Sequence, residues 1–558
     1  MRDAHAEGAV YRGEQIRGVN RMIQELKKRA DPVLRFLSHP VPWLVLAACL
    51  MGIFFRVWDF GENPPGLQVD EASIAVEAAS LHDFGIDRNG KSFPVHFIAW
   101  GGGQNVLYAY LLAPLTPLGL STWIIRLPML IAGLLTLVVV FAIARKLFSL
   151  PVAVAAILLL AVSPWHILAS RWALESNLFP FVFSLAFLCL VHIDRHPSLF
   201  PVSMGLLAVS LYAYGTAYFL VPLFVASAIV MIWRKRLLPP KTAWLGLAVF
   251  AVIGFPIFLF ILVNLFQWDE IRLGFLTIPR VIGDPRIREM TGFLHGEGLG
   301  GYVYGLMTTA KILFLHTDDL LYNSLPPFGF LFPGAVILAL VGAFLAAEKL
   351  FHDKSFALGA FAAWIALAFL LGIIQPPTVH RINIFFIPLI LCVAVTVEWI
   401  LRGKRILAVP LMLGIGVYAV LFWREYMGED YRKTVGWTFN NGLLPAVESV
   451  TAYPEAPVCI TNELSMPYIY VELAEFRDPR EWLAVIRYQE PDVKFRIVEQ
   501  MERYSFGIQN CSLDPRAVYI LKNDQSLPLD ESLFFTQVFG DYVVYYPKEM
   551  KPASGGEG

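Results

Sequence analysis

Long apolar runs recur along most of this chain, and nothing else in the sequence constrains its fold as tightly. A helix needs roughly 20 mostly apolar residues to cross a bilayer. Runs of that kind cover 41–58, 122–148, 151–168, 176–192, 200–213, 216–233, 243–266, 328–347, 355–374, 382–401 and 405–423. These eleven spans predict a polytopic α-helical membrane protein. Pro or Gly interrupts some of them, which membrane helices tolerate. Only 16% of the 558 residues are charged, against about a quarter in soluble domains. A net charge of −1 leaves no basic footprint for nucleic acid. Segment 1–40 is polar and lacks the apolar core of a cleaved signal peptide, so the first span itself serves for insertion.

Lys and Arg in short loops orient such a chain. Lys27, Lys28 and Arg29 precede the first span, and Arg145 and Lys146 follow the second. Arg234, Lys235, Arg236 and Lys241 lie between the sixth and seventh spans, Lys349 and Lys354 between the eighth and ninth, and Arg402, Lys404 and Arg405 between the tenth and eleventh. With eleven spans, all these clusters fall on the cytoplasmic side. The apolar segment 104–120 threatens the scheme, because counting it as a span inverts everything downstream. It is short and carries Pro114 and Pro117, and reads as re-entrant or interfacial.

This topology places the first loop (59–121), short turns near 169–175 and 214, a long loop (267–327) and segment 424–558 outside, in a multi-pass plasma-membrane protein. The last segment alternates β-rich runs (VCIT, KFRIV, AVYILKN, FGDYVVYY) with the helical DPREWLAVIRY, which predicts a small extracytoplasmic α/β domain. Cys49, Cys189 and Cys392 lie in apolar runs. Cys459 and Cys511 lie in the polar domain, where a disulfide can form outside the cytoplasm.

The residues that can carry chemistry gather at the outer ends of the spans. Asp70 and Glu71 open a helical pattern in the first loop. They read either as a cap and a dipole partner or as a carboxylate that takes a proton from an acceptor hydroxyl. Arg171 sits at a turn after the third span, against the charge bias. It either snorkels or grips a phosphate with its guanidinium fork. Glu175, a turn later, can orient that arginine or bind a metal, and His380 with Arg381 repeats the outer-cation anomaly in QPPTVHRIN. Tyr212 and Tyr214 suit an aromatic belt or stacking on a sugar. In LHTDDLLYNS, His316, Asp318 and Asn323 are candidate donor or acceptor contacts, and a divalent metal can be held by His316 with Asp318.

The ordered blocks NPPGLQVDEA, LHDFGIDRNGKSFPVHF, LYAYLLAPLTPLGLSTWIIRLP, SPWHILASRWALESN, LHTDDLLYNSLPPFGFLFP and PPTVHRINIFFIPLI cover most of 41–423. Together they resemble bacterial members of the GT-C superfamily of membrane glycosyltransferases, which includes the protein O-mannosyltransferases and the aminoarabinose transferase for lipid A. The resemblance implies a sugar donor on a polyprenyl or dolichyl phosphate, used on the outer face without nucleotide. It also implies an acidic motif at Asp70, and possibly Glu71, and donor-phosphate contacts at Arg171 and Arg381. The chain departs from its relatives at GGGQNV, where they tend to carry a proline pair, and at His-Thr-Asp-Asp-Leu in the long loop. The expectation is transfer to an acceptor hydroxyl of a protein, lipid or glycan, with inversion. The rival is a multispan transporter or lipid flippase without bond chemistry, which tends to place polar groups and repeats at the bilayer midplane. Here the polar residues gather at the outer ends.

Overall fold

The computed structural model describes residues 40–550 apart from 282–297, 317–319, 321, 376, 465, 491–492, 494 and 512. The chain begins with α1 (Pro40–Val57), followed by α2 (Val69–Phe84) and α3 (Leu107–Leu112) in the first loop. A run of helices follows: α4 (Thr122–Leu147), α5 (Leu150–Ala161), α6 (Pro164–Ala169), α7 (Glu175–Leu190), α8 (Leu199–Ser210), α9 (Ala217–Lys235) and α10 (Pro240–Leu265). A hairpin of β1 (Ile271–Leu273) and β2 (Leu276–Ile278) precedes α11 (Gly298–Leu315), α12 (Ala335–Asp353), α13 (Phe356–Ile374), α14 (Phe386–Gly403) and α15 (Ala408–Tyr426).

Among the described residues, 8 helices are long and apolar enough to cross a membrane: α1, α4, α9, α10, α12, α13, α14 with its 3-10 lead-in, and α15. The protein is thus a multi-pass membrane protein, with fewer full-length spans than eleven. The expected spans at 151–168, 176–192 and 200–213 contain helices of 12, 16 and 12 residues. At 1.5 Å per residue, 12 residues rise only about 18 Å. The apolar composition continues past the helix ends, but the backbone does not. Ser163, extended ahead of Pro164, stops α5 and restarts the chain as α6.

The segment 104–120 is also too short to cross, with α3 running into a 3-10 turn at Ala113–Leu118. The long loop, in contrast, hides the apolar α11. Its Leu299, Tyr304, Met307 and Leu315 are exposed, as on a lipid-facing surface. Gly305 lets α11 close on α13, since a Cβ there would lie 2.3 Å from the Ile373 carbonyl oxygen.

Beyond α15 come α16 (Glu429–Gly436), α17 (Leu443–Val450), α18 (Tyr468–Ala474) and α19 (Pro479–Val485). They flank a seven-stranded sheet of β3 (Val458–Ile460), β4 (Ile486–Tyr488), β5 (Val498–Met501), β6 (Tyr504–Phe506), β7 (Val518–Lys522), β8 (Phe534–Phe539) and β9 (Tyr542–Pro547). The strand order is β4-β5-β6-β3-β7-β9-β8, with β3 parallel to both neighbours and the other pairs antiparallel. The central β7, VYILK, is buried along its whole length. A Cys459–Cys511 disulfide clips β3 to the turn after β6.

This region has no core of its own on the face toward the bundle. Val458, Ile460, Val518, Ile520 and Val544 share one hydrophobic cluster with Ala72, Ile74, Ala75 and Ala78 of α2. The first loop and the C-terminal domain are therefore packed as a single layer.

Candidate active site

The start of α2 separates the adjacent carboxylates. Gln68, not Asp70, caps the helix, accepting from the Asp70 N–H while its own N–H donates to Glu71 Oε2 at 3.1 Å. That capping box satisfies orphan donors of the first turn. Glu71 is fully buried. Arg126 of α4 grips it bidentately at 2.8 and 2.9 Å, and the Ala173 N–H adds a 2.7 Å bond. With both carboxylate oxygens so occupied, Glu71 is a tie between α2, α4 and the 171–174 turn. A catalytic role for Glu71 would have to be exercised from within these bonds.

Asp70 points elsewhere. It is only partly buried. The Trp100 indole N–H donates to its Oδ1 at 3.0 Å, and the Gln104 side-chain amide to its carbonyl at 3.2 Å. It is the carboxylate of this pair that a solvent-borne hydroxyl can reach.

Arg171 is fully buried. Its Nε donates to Asn63 O and the Tyr426 hydroxyl, its Nη1 to Phe55, Arg56 and Trp58 carbonyls, and its Nη2 to Asp59 and Asn63 carbonyls. These bonds clasp the 55–63 bend, and they are the partners that a donor phosphate at Arg171 would join or displace. Arg126 repeats the device with the Gly61, Pro64 and Gly66 carbonyls, and Arg56 with Gly52, Leu160 and Ala161. Arg126 was visible as a charge inside the apolar run STWIIRLP, the signal by which an intramembrane ionisable residue is noticed.

His380 and Arg381 are half-buried. The Asn323 side-chain amide lies 3.2 Å from His380 Nδ1, so these two candidates meet. The Asn383 amide donates to Ser176 O at 2.8 Å, seating the His380–Arg381 turn against the end of α7 that carries the buried Glu175. Contacts thus run from Asp70's helix through Ala173 and Ser176 to Arg381. An apolar cavity of about 470 Å³ lies among α11, α12, α13 and the start of α14. It is lined by Leu306 and Phe314 of α11, Leu340 of α12, Phe369 of α13, and Phe385 and Pro388 just beyond Arg381.

The remaining candidates stand apart. The Tyr212 hydroxyl donates to Ile253 O at 2.7 Å while the residue stays partly exposed, and Tyr214 is buried. His316 packs on the Phe330 ring at 5.1 Å. Asp318 lies outside the described residues. Among the described residues, no group of three His, Cys, Asp or Glu is arranged to hold a metal ion.

One polar cluster escaped sequence reasoning. Glu77 of α2 pairs with Arg88 at 3.2 Å, both buried, and Glu472 of α18 faces the same guanidinium. Burial pushes the Glu77 carboxyl well up, with further help from Asp87. Burial likewise raises Asp87 to about 6, against the opposing backbone N–H of Lys91, and Glu472 to about 7, against the opposing Arg88.

Residues 104–260 match the family model described as dolichyl-phosphate-mannose-protein mannosyltransferase. No curated protein sequence matches the chain. Among solved structures, ArnT from Cupriavidus metallidurans bound to undecaprenyl phosphate is similar with a TM-score of 0.51 and 15% identity, over 91% of this chain and 98% of that one. AglB from Archaeoglobus fulgidus, complexed with an inhibitory peptide and a dolichol-phosphate, gives 0.48 and 13% identity over 93% and 75%. The Archaeoglobus fulgidus oligosaccharyltransferase complexed with Zn and sulfate gives 0.47 and 14% over 78% of this chain, which spans 61% of that structure. The chain shares its overall fold with that ArnT structure. Over residues 104–260 it is also similar in sequence to the protein mannosyltransferase family model.

Proposed function

We propose that this protein transfers a sugar from a polyprenyl-phosphate donor to an acceptor hydroxyl at the outer face of the plasma membrane. The observation that carries the reading is the apolar cavity of about 470 Å³, whose lining includes Phe385, in the same stretch of chain as the half-buried Arg381. An isoprenoid chain suits such a lining, and a phosphate suits the guanidinium of the turn that leads into α14. The similar ArnT structure holds undecaprenyl phosphate, which supports the same donor class. The disulfide favours an oxidising, extracytoplasmic setting for the C-terminal domain.

The reaction is a single displacement. The acceptor oxygen forms a bond to the anomeric carbon as its proton passes to Asp70. The anomeric carbon–oxygen bond to the lipid phosphate breaks, and the phosphate leaves with the electron pair, stabilised by Arg381 and His380. Inversion follows. The test is turnover of radiolabelled polyprenyl-phosphate sugars by purified protein in lipid, wild type beside Asp70→Asn. Release of polyprenyl phosphate by the wild type alone supports the reading. Donor moved across the bilayer without release sinks it in favour of a flippase.

A further inference from the structure

The glycines after Trp100 build a tip that has no other evident use. Phe97 and Gln104 exchange backbone hydrogen bonds at 2.9 and 3.1 Å, closing a tight hairpin around Ile98–Gly103. Gly101 and Gly103 have φ of +65° and +81°, a region that disfavours side chains. A Cβ at Gly103 would lie 2.5 Å from Phe97 O and 2.6 Å from His96 Nε2. The GGGQN stretch is therefore shaped to hold Trp100 and Gln104 over the start of α2.

Both side chains of that tip reach the same residue. Trp100 donates to the Asp70 carboxylate and Gln104 to the Asp70 carbonyl, while the Ser73 hydroxyl donates to Gln104 Oε1 at 3.0 Å. The Trp100 ring is backed in turn by the Arg88 guanidinium, 5.1 Å from its centroid. Arg88 is held by Glu77 and faced by Glu472 from the C-terminal domain.

We propose that Trp100 is the positioning residue for Asp70, and that the C-terminal domain, through Glu472 and Arg88, keeps Trp100 in place. This rests on Asp70 being the base. The indole N–H fixes the orientation of the Asp70 carboxylate, and a donor bonded to a carboxylate favours its charged form.

The experiment uses full-length protein in lipid and compares wild type, Trp100→Phe, Trp100→His and Asp70→Asn. Trp100→Phe keeps an aromatic ring over Arg88 but removes the donor. It is expected to lower kcat about 10- to 100-fold, the scale of a hydrogen bond to a charged group, with donor KM unchanged within about twofold. The acidic limb of its pH–rate profile should move to higher pH, because the ionised form has lost a donor. Trp100→His, which returns a ring N–H, should recover part of both. A lower kcat with an unmoved limb would reduce Trp100 to a structural role and overturn the proposal, as would wild-type behaviour of Trp100→Phe. If Trp100→Phe does not accumulate folded, the limb of Trp100→His decides. Turnover retained by Asp70→Asn would instead remove the base itself, which distinguishes failure of the underlying reading from failure of the positioning.

Discussion

The rim around the first loop and the groove between α11 and α14 adjoin the same candidate site but are made of opposite materials. The rim is polar: Arg56, Arg126 and Arg171 are fully buried and direct most of their N–H groups to carbonyls, to Glu71, to His166 and to Tyr426. The groove is apolar throughout its lining. Directional bonds fix positions to fractions of an ångström, whereas a chain of isoprene units needs only dispersion contacts and exclusion of water. Under the proposed function, the difference assigns the geometry of the reaction to the rim and the hold on the lipid to the groove.

The sharpest way to break the comparison lies within the rim. Asp70→Asn should cut turnover about 10²–10⁴-fold, the usual contribution of a positioned base, while leaving the protein folded and able to bind polyprenyl phosphate. Near-normal release of lipid phosphate would end the distinction between Asp70 and its neighbour. Next in size, Arg126→Met should destabilise the protein by about 3–5 kcal/mol, because Glu71 is left as a buried uncompensated charge. Thermal melting in detergent checks this, and an unchanged midpoint would mean the rim is not held as described.

A smaller effect belongs to the junction with the C-terminal domain. Glu472 titrates near 7 in the folded protein, raised by burial from 4.5. Between those values the folded state binds more protons than the unfolded one, so stability falls as pH rises through the window. Above it, Glu472→Gln should be more stable than wild type by on the order of 2–3 kcal/mol, with its pH slope flattened. Melting curves at pH 5 and pH 8 decide it; parallel slopes in the two proteins would refute it. Smallest of all, Ala310→Phe in the groove should raise donor KM about tenfold with kcat unchanged, the signature of lost uniform binding. A fall in kcat instead would show that the groove, too, sets geometry.

How much of this was legible in the sequence follows from what apolar patterning can and cannot encode. Runs such as 122–148 and 243–266 became α4 and α10, whose helices continue through Pro128 and Pro256. The run 151–168 did not, because Ser163 turns extended ahead of Pro164 and divides it. The α11 helix was passed over since Gly, Thr and Lys dilute its hydropathy, although its exposed face is apolar. In the C-terminal domain VCIT, AVYILKN and FGDYVVYY fell on β3, β7 and β9, while KFRIV reaches the sheet only at Val498.

Site residues were harder. An arginine against the charge bias looks the same whether carbonyls or a phosphate will claim it, so Arg171 and Arg381 could not be told apart before their surroundings were known. Asp70 and Glu71 shared one motif, and only the positions of Arg126 and Trp100 divide their roles. Neither Trp100 nor the Arg88 cluster carries a local pattern, since its members come from the first loop and from Glu472 some 400 residues later.

The carbonyl-bound arginines also bear on how the molecule is put together. A guanidinium cannot shed its proton in a low-dielectric interior, so each must stay wrapped by water until its carbonyls arrive. For Arg171 those carbonyls come from the 55–63 bend, and its hydroxyl partner from Tyr426 at the far end of α15. Each nitrogen of Arg171 thus finds a carbonyl within the first quarter of the chain, and Tyr426 adds a second partner to Nε alone. A chain truncated before α15 should keep the clasp on the bend and lose only that last hydroxyl.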